Sequence, residues 1–288
     1  MSPTPSSGKK VVLITGTSRG IGKATAEHLE SQGYIVYGSS RSPHDGPRML
    51  QIEITDPASC QRAVDEVVRR EGRIDVLVNN AAYELVGAHE ELTTEELRDN
   101  VEVNFFGAVH MMKATTPVML EQRSGSIINI SSIGSDVGWA FNSAYSAGKF
   151  ALHGYSEAVR RELLPFHVFV SIVSPAGVAS GTTHLSVKRS ASSHPLFERA
   201  SAAAFEFSSQ GGDLSMASSM ESVASAIQKA IEASRPTFMY RVGFVPRLMM
   251  FMKAVLPQWA FERFYMSAMK VPRTAPELDP SRQVGITS

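Results

Sequence analysis

The stretch TGTSRGIG, Thr15 to Gly22, decides how the rest of the chain is read. Its glycines at 16, 20 and 22 follow the apolar run Val11 to Thr15 and open a helical run from about Ile21 to Gln32. A strand that ends in a glycine turn and enters a helix lets backbone approach a ligand closely. It also leaves the first N–H groups of the helix unpaired, at the positive end of the helix dipole. Both features suit a pyrophosphate. We therefore read Gly16, Ser18, Arg19, Gly20, Ile21 and Gly22 as a dinucleotide-phosphate cradle rather than a plain turn.

Outward from this stretch, the same alternation recurs. Strands are expected in YIVYGSS, RMLQIEIT, IDVLVNNAA, SGSIINISS and HVFVSIVSP, with a last one near Thr237 to Val242. Between them lie helical runs. One has Asp56 as N-cap, Pro57 at its first position and Gly72 at its end; others span about Thr94 to Leu120, SAYSAGKFALHGYSEAVRREL before Pro165, and Met220 to Ser234. Strands that are apolar nearly throughout, alternating with amphipathic helices, predict a parallel sheet covered on both faces. With right-handed crossovers this is an α/β doubly wound parallel sheet of about seven strands. Gly16, Asn79, Ser131 and Pro175 then fall together at the carboxyl ends of four strands, where such folds bind ligands.

The expected organisation is a polar, Pro/Ser-rich lead-in over residues 1–8, which is disordered and lacks the apolar run of a secretory signal. A single catalytic domain follows over 9–244. It includes a Ser/Ala-rich, mobile substrate lobe at 182–220. A small helical C-terminal extension covers 245–288. Lysine plus arginine equals aspartate plus glutamate, 28 against 28, so charge gives no reason to expect a nucleic-acid partner. The single cysteine, Cys60, excludes an internal disulfide and fits a reducing, cytoplasmic setting; it is expected to be a buried, inert thiol. Scattered histidines without a metal-binding pattern predict no metal site. No apolar run approaches the roughly 18–20 residues that span a bilayer.

Within NSAYSAGKF, Asn142 to Phe150, Tyr145 and Lys149 lie one helical turn apart among small residues. Their side chains point the same way with little to shield them. The second strand ends in Gly38, Ser39 and Ser40 and is followed by Arg41, where an NAD site usually presents an acid. Arg41 and Arg19, with no competing carboxylate, suit the 2′-phosphate of NADP(H).

On these residues the chain resembles the short-chain dehydrogenase/reductase family, over roughly residues 9 to 180. TGTSRGIG fits the family's glycine motif. NNAA, Asn79 to Ala82, fits its second motif with Ala82 in place of glycine. Asn104 fits its helix asparagine, and Ser132, Tyr145 and Lys149 fit its active-site set, with a Ser–Tyr gap that selects Ser132 over Ser131. The resemblance implies a Rossmann-type fold and hydride transfer between nicotinamide and a carbonyl or alcohol carbon. It implies Tyr145 as proton donor, tuned by the Lys149 ammonium, which would lower the phenol's pKa and bond the nicotinamide ribose. Ser132 would hold the substrate oxygen and Asn104 a relay water. Cofactor contacts would further come from Glu53, Ile54, Asn80, Ala81, Ala82, Pro175 and Val178. After the sixth strand the family's glycine is replaced by Ala176 and its threonine by Ser180, which puts that loop's local geometry in question.

The expected function is reduction of a ketone or aldehyde, in a bulky apolar small-molecule substrate, by an NADPH-dependent enzyme. The alternatives are a non-catalytic cofactor-binding scaffold or regulator, and a membrane-surface reductase of a lipid ketone. A homodimer or homotetramer is expected, paired through helix faces bearing Phe105, Val109, Met112, Phe150 and Tyr155, some of which must also serve the chain's own core. In the extension, Pro246 and Pro257 bound two short helices with an apolar stripe of Leu248, Met252, Val255 and Trp259 and a basic balance. It is expected to cover the substrate cleft, to form a subunit contact, or to touch a membrane peripherally through 245–270.

Overall fold

The computed structural model describes residues 8–42, 46–175, 177–179, 186–191, 194, 196–210 and 218–268. In chain order the elements are β1 (Val11–Ile14), α1 (Gly20–Ser31), β2 (Ile35–Ser40), β3 (Met49–Gln51), α2 (Pro57–Glu71), β4 (Val76–Asn79) and β5 (Tyr83–Val86). Next come α3 (Thr94–Val101), a π-helical turn (Glu102–Phe106), α4 (Gly107–Gln122), β6 (Gly125–Ile130), α5 (Ser143–Leu163), β7 (Val168–Pro175), β8 (Val178–Ala179) and β9 (Ser186–Arg189). The chain continues through α6 (Glu198–Ser209), β10 (Ser218–Ser219), α7 (Met220–Glu232), β11 (Met239–Val242), α8 (Phe244–Val255) and α9 (Gln258–Ala268).

Seven strands form one parallel sheet in the order β3–β2–β1–β4–β6–β7–β11. From β1 the chain builds outward to β3, then returns to the other side of β1 with β4. The order therefore reverses between β1 and β4, and the cleft for a ligand opens there. Strand residues alternate between two apolar layers. Val11, Leu13, Leu77 and Ile127 face α2, α4 and α5, while Val12, Ile14, Val78 and Ile128 face α1 and α7. Burial on both faces explains why these strands read as continuous apolar runs.

The helix ends follow local chemistry. Asp56 caps α2 by accepting from Ala58 N at 2.9 Å, Pro57 begins it, and Gly72 ends it in the left-handed region at φ 73°. Thr93 and Glu96 form a reciprocal capping box at the start of α3.

The structure departs from the sequence expectations at several places. The third strand stops at Gln51, because Glu53 turns back to bond Thr55 and the chain then enters the Asp56 cap. The long helix after Thr94 is broken by the π turn at Glu102–Phe106, which inserts one residue into the helical repeat beside Asn104. The parallel ribbon β5–β9 and helix α6 were not foreseen. Of the residues on the expected pairing faces, Val109 and Met112 serve the chain's own core, whereas Phe150 is exposed, as is the neighbouring Phe106. Ala176 and Ser180 lie outside the described residues. Among those described, no helix is long and apolar enough to cross a membrane.

Cys60 is buried in the α2–sheet layer, and burial pushes its thiol up to about 11, helped by the negative Asp56 and Glu53. The thiol is therefore protonated at neutral pH and inert. A disulfide reagent at pH 8 should label Cys60 only after denaturant unfolds the chain. Labelling of native protein at the unfolded rate would contradict this packing.

Candidate active site

The glycine loop is tied to the neighbouring strand by one residue. Asn80, just past β4, donates through Nδ2 to the carbonyls of Thr15 and Gly16, each at 2.9 Å. Thr15 Oγ1 accepts in return from the backbone of Asn80 and Ala81, both at 3.0 Å. Gly16 and Gly20 have φ of 73° and 61°, where a side chain would be strained. A Cβ at Gly22 would collide with Gly16 O and Asn80 Nδ2, so the helix can approach the turn only as glycine. Arg19 is the N-cap of α1 and provides no side-chain cap. The first N–H groups of α1 therefore face the switch point without a side-chain cap, as a cofactor pyrophosphate requires.

The end of β2 lies against the same loop, since Thr17 N donates to Ser39 O at 2.8 Å. Ser18, Arg19 and Arg41 are exposed around it. β2 ends in Ser39 and Ser40, with no acid at its carboxyl end. Glu53 is exposed, and its Oε1 accepts from Thr55 N and Oγ1 at 3.2 and 2.9 Å. Ile54 is buried, and its carbonyl bonds His110 Nδ1 at 3.0 Å. Pro175 ends β7, and Val178 is buried in the layer shared with α7. Of the expected cofactor residues, the loop, Asn80 and Ala81 meet at the switch point, and Arg41 follows the end of β2 with its carbonyl bonded by Gln51. Glu53 and Ile54 are engaged with neighbours of their own chain.

The second half of the site is built by α5 lying against the π turn. A Cβ at Gly148 would sit 3.1 Å from Asn104 Cβ, so the missing side chain permits the close approach. Asn104 is 2% exposed; it accepts from Tyr83 N at 3.0 Å and donates to Tyr83 O and Asn100 Oδ1, both at 2.8 Å. Its side chain is thereby spent on joining the π turn to β5. Ser132 follows β6 and caps a short 3₁₀ turn, Ile133–Ser135, accepting from Gly134 N at 3.2 Å. Gly134 packs beneath both Ser132 and Tyr145: a Cβ there would touch Tyr145 Cε1 at 3.5 Å and Ser132 Oγ at 3.6 Å.

Tyr145 and Lys149 are 8% and 3% exposed. Lys149 Nζ donates to Ile130 O at 2.9 Å and stands 5.5 Å from the centre of the Tyr145 ring. Burial pushes the Tyr145 phenol above its ordinary value, the negative Glu84 adds to the rise, and a bond to Ser132 opposes it. Burial pulls the Lys149 ammonium down to about 8. This corrects the expectation that Lys149 lowers the phenol: the amine is directed at a backbone carbonyl, and desolvation raises the phenol.

The loop from Ser132 to Tyr145 is pinned by the extension. Asp136 is buried and holds Arg241 of β11 at 3.3 Å, with His153 Nδ1 3.7 Å away, while Lys253 of α8 donates to its carbonyl. Tyr265 of α9 accepts from Ala140 N at 2.9 Å. Ile133 and Val137 pack with Met249, Phe261 and Phe264. The extension thus covers the rim of the site. Sequence reading missed Glu84, Asn142, Asp136 and Arg241. For Glu84 a signal existed, since an acid interrupts the apolar run YELVGA.

The model of the short chain dehydrogenases matches residues 10–192. The chain belongs to the short-chain dehydrogenase/reductase family. Members are oxidoreductases that use nicotinamide cofactors. The chain is 46% identical over 177 residues to a 3-ketodihydrosphingosine reductase of Bacteroides thetaiotaomicron, covering 60% of this chain and 66% of that protein. It thus spans just under two thirds of that relative's length. It is 30% identical to the uncharacterized oxidoreductase YbbO of Escherichia coli, over 86% of this chain and 91% of that one. Among solved structures, a short-chain dehydrogenase from Streptomyces avermitilis superposes with a TM-score of 0.76 at 31% identity, covering 91% of this chain and 97% of that one.

The lowered Lys149 value makes a prediction for this dehydrogenase/reductase chain. The unfolded lysine titrates near 10.4 and the folded one at about 8. Between these values the unfolded state binds more protons, so stability should rise with pH, and the burial penalty is fully present below about 8. Lys149→Met should therefore stabilise the protein at pH 7, by about 1–3 kcal/mol, and the advantage should shrink as pH approaches 10. Thermal unfolding across that range checks it. A Tm difference that is the same at pH 7 and pH 10 would contradict the assignment.

Proposed function

We propose that this chain is an NADPH-dependent reductase that converts a ketone or aldehyde of a bulky, apolar substrate to an alcohol, with Tyr145 as proton donor. One observation carries the reading: a buried phenol held in its protonated form beside Ser132 and Lys149. A phenol pushed upward is a proton donor across the physiological range, which suits reduction; the reverse reaction would need a phenolate that burial opposes. Nicotinamide, when bound, supplies the hydride. Ser132 holds the carbonyl oxygen and favours the charge that develops on it. Tyr145 gives its proton to that oxygen, and the Lys149 ammonium one turn away stabilises the phenolate left behind. Asn104 keeps the π turn and β5 in place beneath this group.

Arg19 and Arg41, beside a second strand that ends in serines, support NADPH over NADH. The aromatic and methionine-rich cover over residues 133–140 supports an apolar substrate. The intact Ser132, Tyr145, Lys149 and Asn104 set disfavours a scaffold that only binds cofactor. The test pairs two variants. Tyr145→Phe should lose nearly all turnover and keep cofactor affinity. Arg41→Ala should weaken NADPH by about tenfold to hundredfold and leave NADH unchanged. Retention of more than a few per cent of kcat in Tyr145→Phe, or equal wild-type affinities for the two cofactors, would refute the corresponding part.

A homodimer or homotetramer is the expected assembly, with exposed Phe106 and Phe150 and half-buried Phe105 and Tyr155 as the pairing face. A second reading, a lipid carbonyl reduced at a membrane surface, is favoured by the outer face of the extension. Phe244, Leu248, Phe251, Val255 and Trp259 recur at helical spacing there, with Phe244 and Trp259 73% and 70% exposed. Light scattering with and without anionic vesicles separates the two uses of apolar surface. Vesicle binding that is lost in Phe251→Ser/Trp259→Ser supports the membrane reading, and a monomeric mass at micromolar concentration overturns the pairing.

A further inference from the structure

A carboxyl group sits where carbonyl reduction alone has no use for one. Along β5, Tyr83 and Leu85 turn into a small apolar cluster with Ala144, Leu92 and Leu97. Side chains alternate along a strand, so Glu84 turns the opposite way. There its Oε1 accepts from Asn142 Nδ2 and from Ser208 Oγ, the latter at 2.9 Å. Asn142 is the N-cap residue of α5, three positions before Tyr145, and Ser208 belongs to α6. The carboxyl therefore lies between the start of the helix that carries Tyr145 and Lys149 and the helix of the substrate lobe.

The chemistry at this point is unbalanced. Burial raises the pKa of Glu84, and its negative charge in turn raises that of Tyr145. Among the described residues no cation offsets it, and both of its hydrogen bonds fall on one oxygen. Taking a carboxylate out of water without a cation is costly. A link between Asn142 and Ser208 could be made by a neutral amide acceptor without that cost. The acid therefore needs a further reason to be there.

We propose that Glu84 is a subsite for a protonated amine carried next to the reacting carbonyl, so that the preferred substrate is a long-chain amino ketone. The proposal rests on the reductase reading above and deepens it. An ammonium group would pair with Oε2 while Oε1 keeps Asn142 and Ser208. It would neutralise the charge beside Tyr145 and fix which carbon faces the phenol. The apolar tail matches the methionine and aromatic residues that cover the rim. The ketone in the name of the Bacteroides relative belongs to the same chemical class.

The test reads binding apart from turnover. A dodecane amino alcohol, with amine and hydroxyl on adjacent carbons, and the matching dodecanol are titrated calorimetrically into the NADP-loaded protein. The wild type should bind the amino alcohol at least about tenfold more tightly. Glu84→Gln keeps an acceptor for Asn142 and Ser208 and removes the charge; it should erase the preference and leave dodecanol binding unchanged. No preference in the wild type, a preference that survives in Glu84→Gln, or an equal loss of both ligands in the variant would overturn the subsite. Assays with the two corresponding ketones and NADPH are read separately. If neither ketone is reduced, the reductase reading fails, while the amine preference in binding still decides the subsite.

Discussion

The site depends first on the pair of hydrogen bonds from Asn80 Nδ2 to the carbonyls of Thr15 and Gly16. Two strands separate at this point, and backbone groups at their ends have no ladder partner. An amide donor with two hydrogens meets both carbonyls at once, and Thr15 Oγ1 meets the N–H groups of Asn80 and Ala81. The turn's carbonyls at Thr15 and Gly16 are thus paired inside the protein, while the first N–H groups of α1 have no side-chain cap. That selective pairing separates a binding cradle from an ordinary turn.

The other half of the site obeys the same accounting under heavier burial. Lys149, Tyr145, Asn104, Asn100 and Asn129 are withdrawn from water, and each finds partners among backbone, amide or hydroxyl groups. Asn129 continues the chain of amides, accepting from Asn79 and donating to Ser156, each at 2.8 Å. Such a network stays in register only if α5 lies close to the π turn. Gly148 permits that approach, and the inserted residue of the π turn brings Asn104 into it. The two ionisable groups pay for this with perturbed proton affinities, and those perturbations favour a protonated phenol and a readily deprotonated amine.

Much of this was legible in the sequence because local rules and global fold agree. The apolar strands, the Asp56–Pro57 start and Gly72 stop of α2, and the one-turn spacing of Tyr145 and Lys149 each act over a few residues, while Ser132 was legible through the motif resemblance. What escaped were pairings between distant segments. The ribbon β5–β9 joins residues near 84 to residues near 187, and nothing in either stretch names the other. Which of Phe105, Val109, Met112, Phe150 and Tyr155 serve the core was not legible, because helical periodicity gives a stripe without saying what covers it. The rise of the Tyr145 pKa was missed for a related reason: a lysine one turn away is visible in the chain, but the depth at which both residues are buried is not.

The amino-acid sequence by itself determined the doubly wound sheet, the glycine turn and the identity of the residues that meet at its open end. The sheet and the turn arise from periodicity and turn chemistry within single elements, and the site residues from the resemblance of their motifs to the family. Only the tertiary structure decided that the extension clamps the Asp136 loop, that Glu84 reaches Asn142 and Ser208, and that burial sets the proton affinities of Tyr145 and Lys149. Desolvation and long-range contact are properties of the packed chain, since each depends on which distant segments exclude water from the same point.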